Sequence, residues 1–251
     1  MKIHHINLET QINEKLFHLA IGNFDGIHLG HQKIIKKLVK EASGENKLSA
    51  LLSFQPHPRQ FFLRDLDRYQ IISDNKKQEI LIELGVDYLF SLKFDKSIAN
   101  LSPSDFVSKI IVKQLQVSRL IVGYDFRFGK NREGDALMLR DYAQIHGFEL
   151  VIIDKITDSS TNHIYSSSSI REAIKKGNMD QANKMLGYCW SMEGKVIHGD
   201  KRAREMNFPT ANILPHNQIY PLKGVYAVKI LINKEYHSGI ANFGERPTVD
   251  G

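Results

Sequence analysis

The chain has 251 residues, enough for one large domain or two small ones with a sizeable buried core. Its hydrophobic fraction of 42% and charged fraction of 25% are those of an ordinary globular protein, and no apolar run approaches the roughly 20 residues that span a bilayer. A net charge of +6 favours anionic partners, nucleic acid and phosphorylated metabolites alike, while the single Cys189 excludes an internal disulfide and a multi-cysteine metal site. The stretch MKIHHINLET lacks the apolar segment of a signal peptide, so the expectation is a cytoplasmic protein with no membrane association.

LFHLAI (16–21) reads as the first strand. After it, Ile34, Ile35, Leu38, Val39 and Ala42 fall on one stripe at helical spacing. LSALLSF (48–54) is a second buried strand. Ser73 opens a helix that carries Ile80, Leu81 and Leu84 and closes at Gly85. VDYLFSL (86–92) is a third strand. Ser102, Pro103 and Asp105 make a helix start, with a hydroxyl at the N-cap, proline at the first helical position and a carboxylate three residues after the cap. RLIVG (119–123) and FELVII (148–153) are two more strands. Strands alternating with helices predict an α/β fold, a doubly wound parallel sheet covered on both faces that binds ligands at the carboxyl ends of its strands. Residues 171–187 form two short helices broken at Gly177 and Asn178. Beyond Gly187 the pattern changes. WSMEGKVIHG, GVYAVKILIN and EYHSGIANF are strands joined by turns with no helix between them. The chain therefore divides into an α/β domain over residues 1–187 and a partial all-β domain over residues 188–251.

The junction between the first strand and its helix reads IGNFDGIHLGHQKII (21–35). A strand that ends in a glycine-containing turn and enters a helix presents free backbone N–H groups and the positive end of the helix dipole to an anion. His28 and His31, three apart at the helix entry, share one face and can donate hydrogen bonds to phosphate oxygens. A pair of surface histidines has the same spacing. Zinc would need a third ligand at metal spacing, and none follows.

The order GNFDGIHLGH is the H-x-G-H signature of nucleotidyltransferases in its flavin-specific form. FQPHPRQFF (54–62), VGYDFRFGKNREGD (122–135), YSSSSIREAI (165–174) and GKVIHGDKRAREMNFPTANI (194–213) follow in order, then GVYAV and ANFGERPTVDG. Together they resemble the bacterial bifunctional riboflavin kinase/FMN adenylyltransferase family across nearly the whole chain. The resemblance implies a Rossmann-like nucleotidyltransferase domain followed by a riboflavin-kinase-like β-barrel. It implies transfer of AMP from ATP to FMN, giving FAD and pyrophosphate, with Mg²⁺ as cofactor and ATP, FMN and riboflavin as substrates. His28, His31 and Arg171 would be catalytic. Gly22, Asn23, Phe24, Asp25 and Gly26 would form the turn around the nucleotide, and Gly30 would allow close backbone approach. Ser166, Ser167 and Ser168 would hold phosphates from the opposite side, Ser168 standing where the family has threonine. His57, Asp125, Phe126 and Phe128 would meet the flavin, the rings by stacking. Thr210 and Asn212, from the family's P-T-A-N, would hold a Mg²⁺–nucleotide in the kinase-like module.

Two departures concern that second module. Ala203 and Asn207 occupy positions where the family carries glycine, which restricts a loop that must wrap phosphate. Residues 188–251 also lack the family's closing strands and helix with their glutamate base, so riboflavin kinase activity is not expected of them alone. Two rival functions remain open at this level: a nucleotidyltransferase for another phosphate metabolite, and a basic nucleic-acid-binding module. The kinase-like tail and DFRFG disfavour the first. Basic residues scattered through amphipathic helices rather than gathered on one face disfavour the second. The oligomeric state is not legible.

Overall fold

The computed structural model describes residues 1–14, 16–63, 68–157, 164–197 and 210–244. Six parallel strands make the central sheet: β1 (Lys2–Ile6), β2 (Phe17–Ile21), β3 (Leu48–Gln55), β4 (Tyr88–Lys93), β5 (Arg119–Gly123) and β6 (Glu149–Ile153), in the order β1-β4-β3-β2-β5-β6. The chain runs outward from β2 through β3 to β4 and then returns to place β5 on the other side of β2. The order therefore reverses between β2 and β5, and at such a switch point an open α/β sheet leaves a crevice at its carboxyl edge.

Period-two alternation decides what each face buries. Phe17, Leu19 and Ile21 of β2, Ala50 and Leu52 of β3, Tyr88, Phe90 and Leu92 of β4, and Leu120 and Val122 of β5 belong to one core cluster. Its helical cover is α4 (Lys96–Ala99), a π-helix (Phe106–Gln114) that continues the short α5 (Pro103–Asp105), and α6 (Ala136–His146). Ala20, Leu51, Leu89 and Ile121 point the other way, into a second cluster with α1 (Leu29–Gly44), α3 (Asp74–Glu83), α7 (Ser167–Lys175) and α8 (Met179–Leu186). The sheet is thus doubly wound, as the alternating pattern predicts. Ser73 and Ser102 cap their helices as expected, accepting from the backbone N–H of Lys76 at 3.1 Å and of Asp105 at 3.0 Å. β1 was not among the expected strands; it lies at the sheet edge, and the pattern KIHHI is mostly exposed.

The second part is antiparallel. β9 (Gly224–Ile232) pairs with β10 (Glu235–Phe243), and β7 (Gly194–Ile197) pairs with β8 (Asn212–Pro215). Between these pairs, Gln218 and Ile219 are buried and Ile219 belongs to the second core cluster of the α/β part. Gln70 donates to the Asn217 carbonyl and accepts from the Ile219 N–H at 2.8 Å, so this segment docks as a short parallel bridge. Ala203 and Asn207 lie outside the described residues. Among the described residues, no helix is long and apolar enough to cross a membrane.

Candidate active site

The segments after β2, β3 and β5 all leave the sheet at its carboxyl edge, beside the switch point. After β2 the backbone turns sharply, with φ +48° at Phe24, +83° at Gly26 and +32° at Ile27. Phenylalanine and isoleucine seldom adopt positive φ, and such strain persists only where the surroundings enforce it. Both side chains are buried, and a Cβ on Gly26 would stand 3.1 Å from the Ile71 side chain. The turn is therefore held from below by packing.

His28 ends the turn as the N-cap of α1, its Nδ1 accepting from the His31 N–H at 3.2 Å. An Nδ1 that accepts leaves the ring proton on Nε2. The two imidazoles stack with centroids 3.7 Å apart, and Phe24 meets the edge of the His31 pair member at 5.3 Å. Burial pushes His28 down to about 4 and His31 also well below the ordinary histidine value. Both rings are thus neutral at pH 7. A Cβ on Gly30 would lie 3.0 Å from the His28 ring, so the space that glycine leaves is filled by that imidazole. The Nδ1 of His31 and the Oδ1 of Asn23 are buried and, among the described residues, have no hydrogen-bond partner.

Asp25 and Arg171 form a buried ion pair. The other Asp25 oxygen accepts from the Ile71 N–H at 2.9 Å, and Arg171 Nε donates to the Tyr69 carbonyl at 3.0 Å. Burial pushes the Asp25 carboxyl up while Arg171 pulls it down. The guanidinium also lies over the Tyr69 ring, 3.7 Å from its centroid, and His57 packs on that same ring at 4.8 Å. Ser167 donates to the Asp25 carbonyl at 2.8 Å, and Ser166 caps α7 by accepting from the Ser169 N–H. The strand-β2 turn, the β3 loop and α7 are in this way joined side chain to side chain. Beside them opens a cavity of about 430 Å³ lined by Arg59, Tyr69, Ser168, Arg171, Glu172, Lys175 and Lys176. Its lining is predominantly cationic, which suits phosphate.

His57 is the N-cap of α2 (Pro58–Phe62), accepting from the Arg59 N–H at 3.1 Å, and burial lowers it to about 4. The β5 loop sits on the other side of the switch point. Asp125 is exposed and Phe126 half-buried, but Phe128 is 5% exposed and belongs to the core. It packs between Phe106 and Phe126 at 5.7 and 5.6 Å. An open ring is found instead at Phe62, 64% exposed and edge-on to Phe61 and Phe94. Thr210 and Asn212 lie apart from all of these, Thr210 exposed and Asn212 paired with Ile197 across the β7–β8 ladder.

Several residues at the site carry no motif and were not singled out from sequence: Tyr69, Lys77, Tyr188 and the cavity lysines Lys175 and Lys176. Lys77 Nζ donates to the Asn23 carbonyl at 2.9 Å. The Tyr188 hydroxyl donates to the Gly26 carbonyl, and Trp190 Nε1 donates to the Ile71 carbonyl at 2.7 Å. The segment after α8 is therefore fastened under the turn. Of these, the run of lysines at 175–176 beside Arg171 is the one signal a sequence reader could have used.

The family model for FAD synthetase matches residues 10–168, and that for riboflavin kinase matches residues 186–251. The chain is 38% identical over 234 residues to a bifunctional riboflavin kinase/FMN adenylyltransferase of Escherichia coli K12, covering 93% of this chain and 74% of that protein. It is 40% identical over 238 residues to the protein so named in Listeria monocytogenes (94% and 73%), and 37% identical over 248 residues to that of Bacillus subtilis (98% and 76%). Among solved structures, a crystal structure described as a macrolide-efflux protein of Streptococcus pneumoniae superposes with a TM-score of 0.87 at 28% identity, covering 99% of this chain and 81% of that one.

Proposed function

The chain belongs to the bifunctional riboflavin kinase/FMN adenylyltransferase family, enzymes of FAD biosynthesis, and from that premise we propose that ATP and FMN meet at the turn after β2. A phosphate oxygen of FMN attacks the α-phosphorus of ATP, the bond to the bridging oxygen breaks, and pyrophosphate leaves. Such a transfer depends on positioning and on stabilising charge more than on covalent chemistry. The neutral His28, with its proton on Nε2, donates to phosphate oxygen without itself releasing a proton, and His31 stands stacked on it. Asp25 holds Arg171 at the mouth of the cationic cavity, where Ser168, Lys175 and Lys176 complete a phosphate cradle. Gly22, Asn23, Phe24 and Gly26 shape the turn, and Ser166 and Ser167 fix α7 against it.

On the flavin side we place Asp125, Phe126 and His57 at the ligand, with Phe128 as the ring that supports Phe126 and Phe62 as an accessible aromatic face. Magnesium enters as MgATP. Asp25 is the one carboxylate in residues 22–31 and is committed to Arg171 and the Ile71 N–H, and magnesium commonly keeps water and phosphate ligands. In the second module, Thr210 and Asn212 offer hard oxygen ligands for a second Mg²⁺–nucleotide. We assign residues 1–187 to adenylyl transfer and 188–251 to the riboflavin-kinase-like module, supported by the change from parallel to antiparallel pairing. ATP as substrate and the lone Cys189 support a cytoplasmic setting.

The observation that carries this reading is the stacked, neutral histidine pair at a helix entry beside the switch point. Incubating the protein with ATP, Mg²⁺ and FMN and separating the flavins by chromatography should reveal FAD. His28→Ala and His31→Ala should each lower turnover by about 10²-fold, the scale of losing one donor to transition-state charge. A double variant that works at the wild-type rate would refute the assignment.

A further inference from the structure

Lys77 sits one turn into α3, in none of the sequence motifs, yet it is bonded to the turn after β2. Ser73 caps α3 and so fixes where its first turn points. From there the half-buried Lys77 reaches the Asn23 carbonyl at 2.9 Å and forms no ion pair among the described residues. A protonated amine has three donors, and the Asn23 carbonyl occupies one. The Asn23 side-chain oxygen in this turn and His31 Nδ1 in the first turn of α1 are both buried and, among the described residues, without a hydrogen-bond partner.

The formal charges there leave Lys77 a distinct place. His28 and His31 are neutral, so they supply hydrogen bonds but no charge. Arg171 is compensated by Asp25. Within the neighbouring cavity Lys176 is held by Glu172 at 2.7 Å, and Arg59 bonds the Tyr69 hydroxyl at 3.3 Å. Lys77 is bonded to the turn's backbone rather than to a carboxylate, and its field acts on both His31 and His57. Burial draws its own value down, and Asp25 and Asp74 act against that shift. A compact ammonium is suited to phosphate as a point charge, and it counts for most where water is partly excluded.

We propose that Lys77 is a further catalytic residue of adenylyl transfer, its ammonium binding the anionic phosphates of ATP at the β2 turn. This rests on the reading of that turn as the ATP site. Phosphates arriving there meet two neutral donors from the histidines and, beside the cations of the neighbouring cavity, the positive charge of Lys77 from α3. As the bond to the bridging oxygen breaks, negative charge grows on the departing pyrophosphate, and the ammonium offsets it.

Lys77→Gln keeps a donor for the Asn23 carbonyl and removes the charge; Lys77→Arg keeps the charge. Steady-state rates should be measured for both, varying ATP and FMN separately, with pyrophosphate inhibition and the thermal midpoint recorded alongside. Lys77→Gln should lose at least about tenfold in kcat/KM for ATP, the scale of a charge-assisted bond to phosphate, with weaker pyrophosphate inhibition and an unchanged KM for FMN. Lys77→Arg should recover most of that loss. ATP kinetics in Lys77→Gln equal to wild type would overturn the proposal. So would equal losses for both substrates with a lowered midpoint in both variants, the behaviour of a strut under Asn23. His28→Ala in the same assay separates the two failures. If it retains full rate, the turn is not the ATP site and Lys77 falls with it; if it collapses while Lys77→Gln does not, only Lys77 is misassigned.

Discussion

His28 serves two purposes with one ring: its Nδ1 caps α1, and that bond leaves Nε2 to donate. A Cβ at Gly30 would press on that ring at 3.0 Å, so a larger residue there would have to shift the imidazole. Arg171, expected to hold phosphate from the far side, has its guanidinium fixed first by Asp25 and the Tyr69 carbonyl, and so reaches the cavity already oriented. Phe128 is the residue whose environment most changes its expected behaviour. A Cβ on Gly134 would be 2.7 Å from the Phe128 ring, so backbone lies directly on one side of it while Phe106 and Phe126 pack around it. Phe128→Ala should therefore cost about 3–5 kcal/mol of stability, the range for deleting a buried aromatic, visible as a lower urea midpoint. A variant that unfolds like wild type but no longer binds FMN would show instead that the ring meets the flavin.

Helix entries and exits organise the site. α1 begins at His28, α2 at His57 and α7 at Ser166, each capped by its own side chain. The exit of α8 matters as much. Gly187 closes it with φ +78°, and a Cβ there would stand 2.5 Å from Leu29 Cδ2, the first residue of α1. Gln32 of α1 bridges the carbonyls of Ile27 and Leu186 at 2.9 and 2.8 Å. α8 is thereby clamped to the start of α1. Gly187→Ala combines an unfavourable left-handed residue with a displaced Leu29 and should destabilise by about 1–2 kcal/mol. Because the displacement reaches α1, FAD formation at 25 °C should also fall. Thermal melts and rates on the same preparation test this, and an unchanged melt would mean that the α8 exit adjusts without touching α1.

At the scale of the molecule, burying neutral histidines ties stability to pH. His28 and His57 lie near 4 in the folded chain, and burial lowers His18 and His31 in the same direction. An unfolded histidine titrates near 6.5, so below that pH the unfolded chain binds more protons and acid favours it. The contribution is complete above about pH 6.5 and is lost as pH falls toward 4, at up to about 1.4 kcal/mol per pH unit for His28 alone. Urea midpoints should hold level from pH 7.5 to about 6.5 and fall from there to pH 5. His28→Asn, which keeps an N-cap acceptor, should flatten the slope. A wild-type midpoint constant over that range would contradict neutral burial. The second part of the chain shares in this stability, since Trp190, Gln218 and Ile219 are fastened to Ile71 and Gln70 beneath the site.

Five of the six strands, β2 to β6, were legible in the sequence because each is an apolar run of strand length, and their separation by amphipathic helices implied a parallel sheet. The motifs were legible because residue type and spacing carry their chemistry: two histidines three apart after a glycine turn need no partner from elsewhere to be noticed. β1 was not legible, since KIHHI interrupts its isoleucines with a histidine pair and is mostly exposed, whereas β6 at the opposite edge keeps the apolar run LVII. Nor were the roles within DFRFG, where sequence cannot tell the half-buried Phe126 from the core ring of Phe128. Lys77 and Tyr69 escaped for a different reason. Each acts through residues about 50 and 100 positions away in the chain, Lys77 on Asn23 and Tyr69 on Arg171. Local patterns report what a segment can do with its immediate neighbours; which charges are neutralised, which rings are buried and which histidines stay neutral follow from long-range packing, and only the tertiary structure decides them.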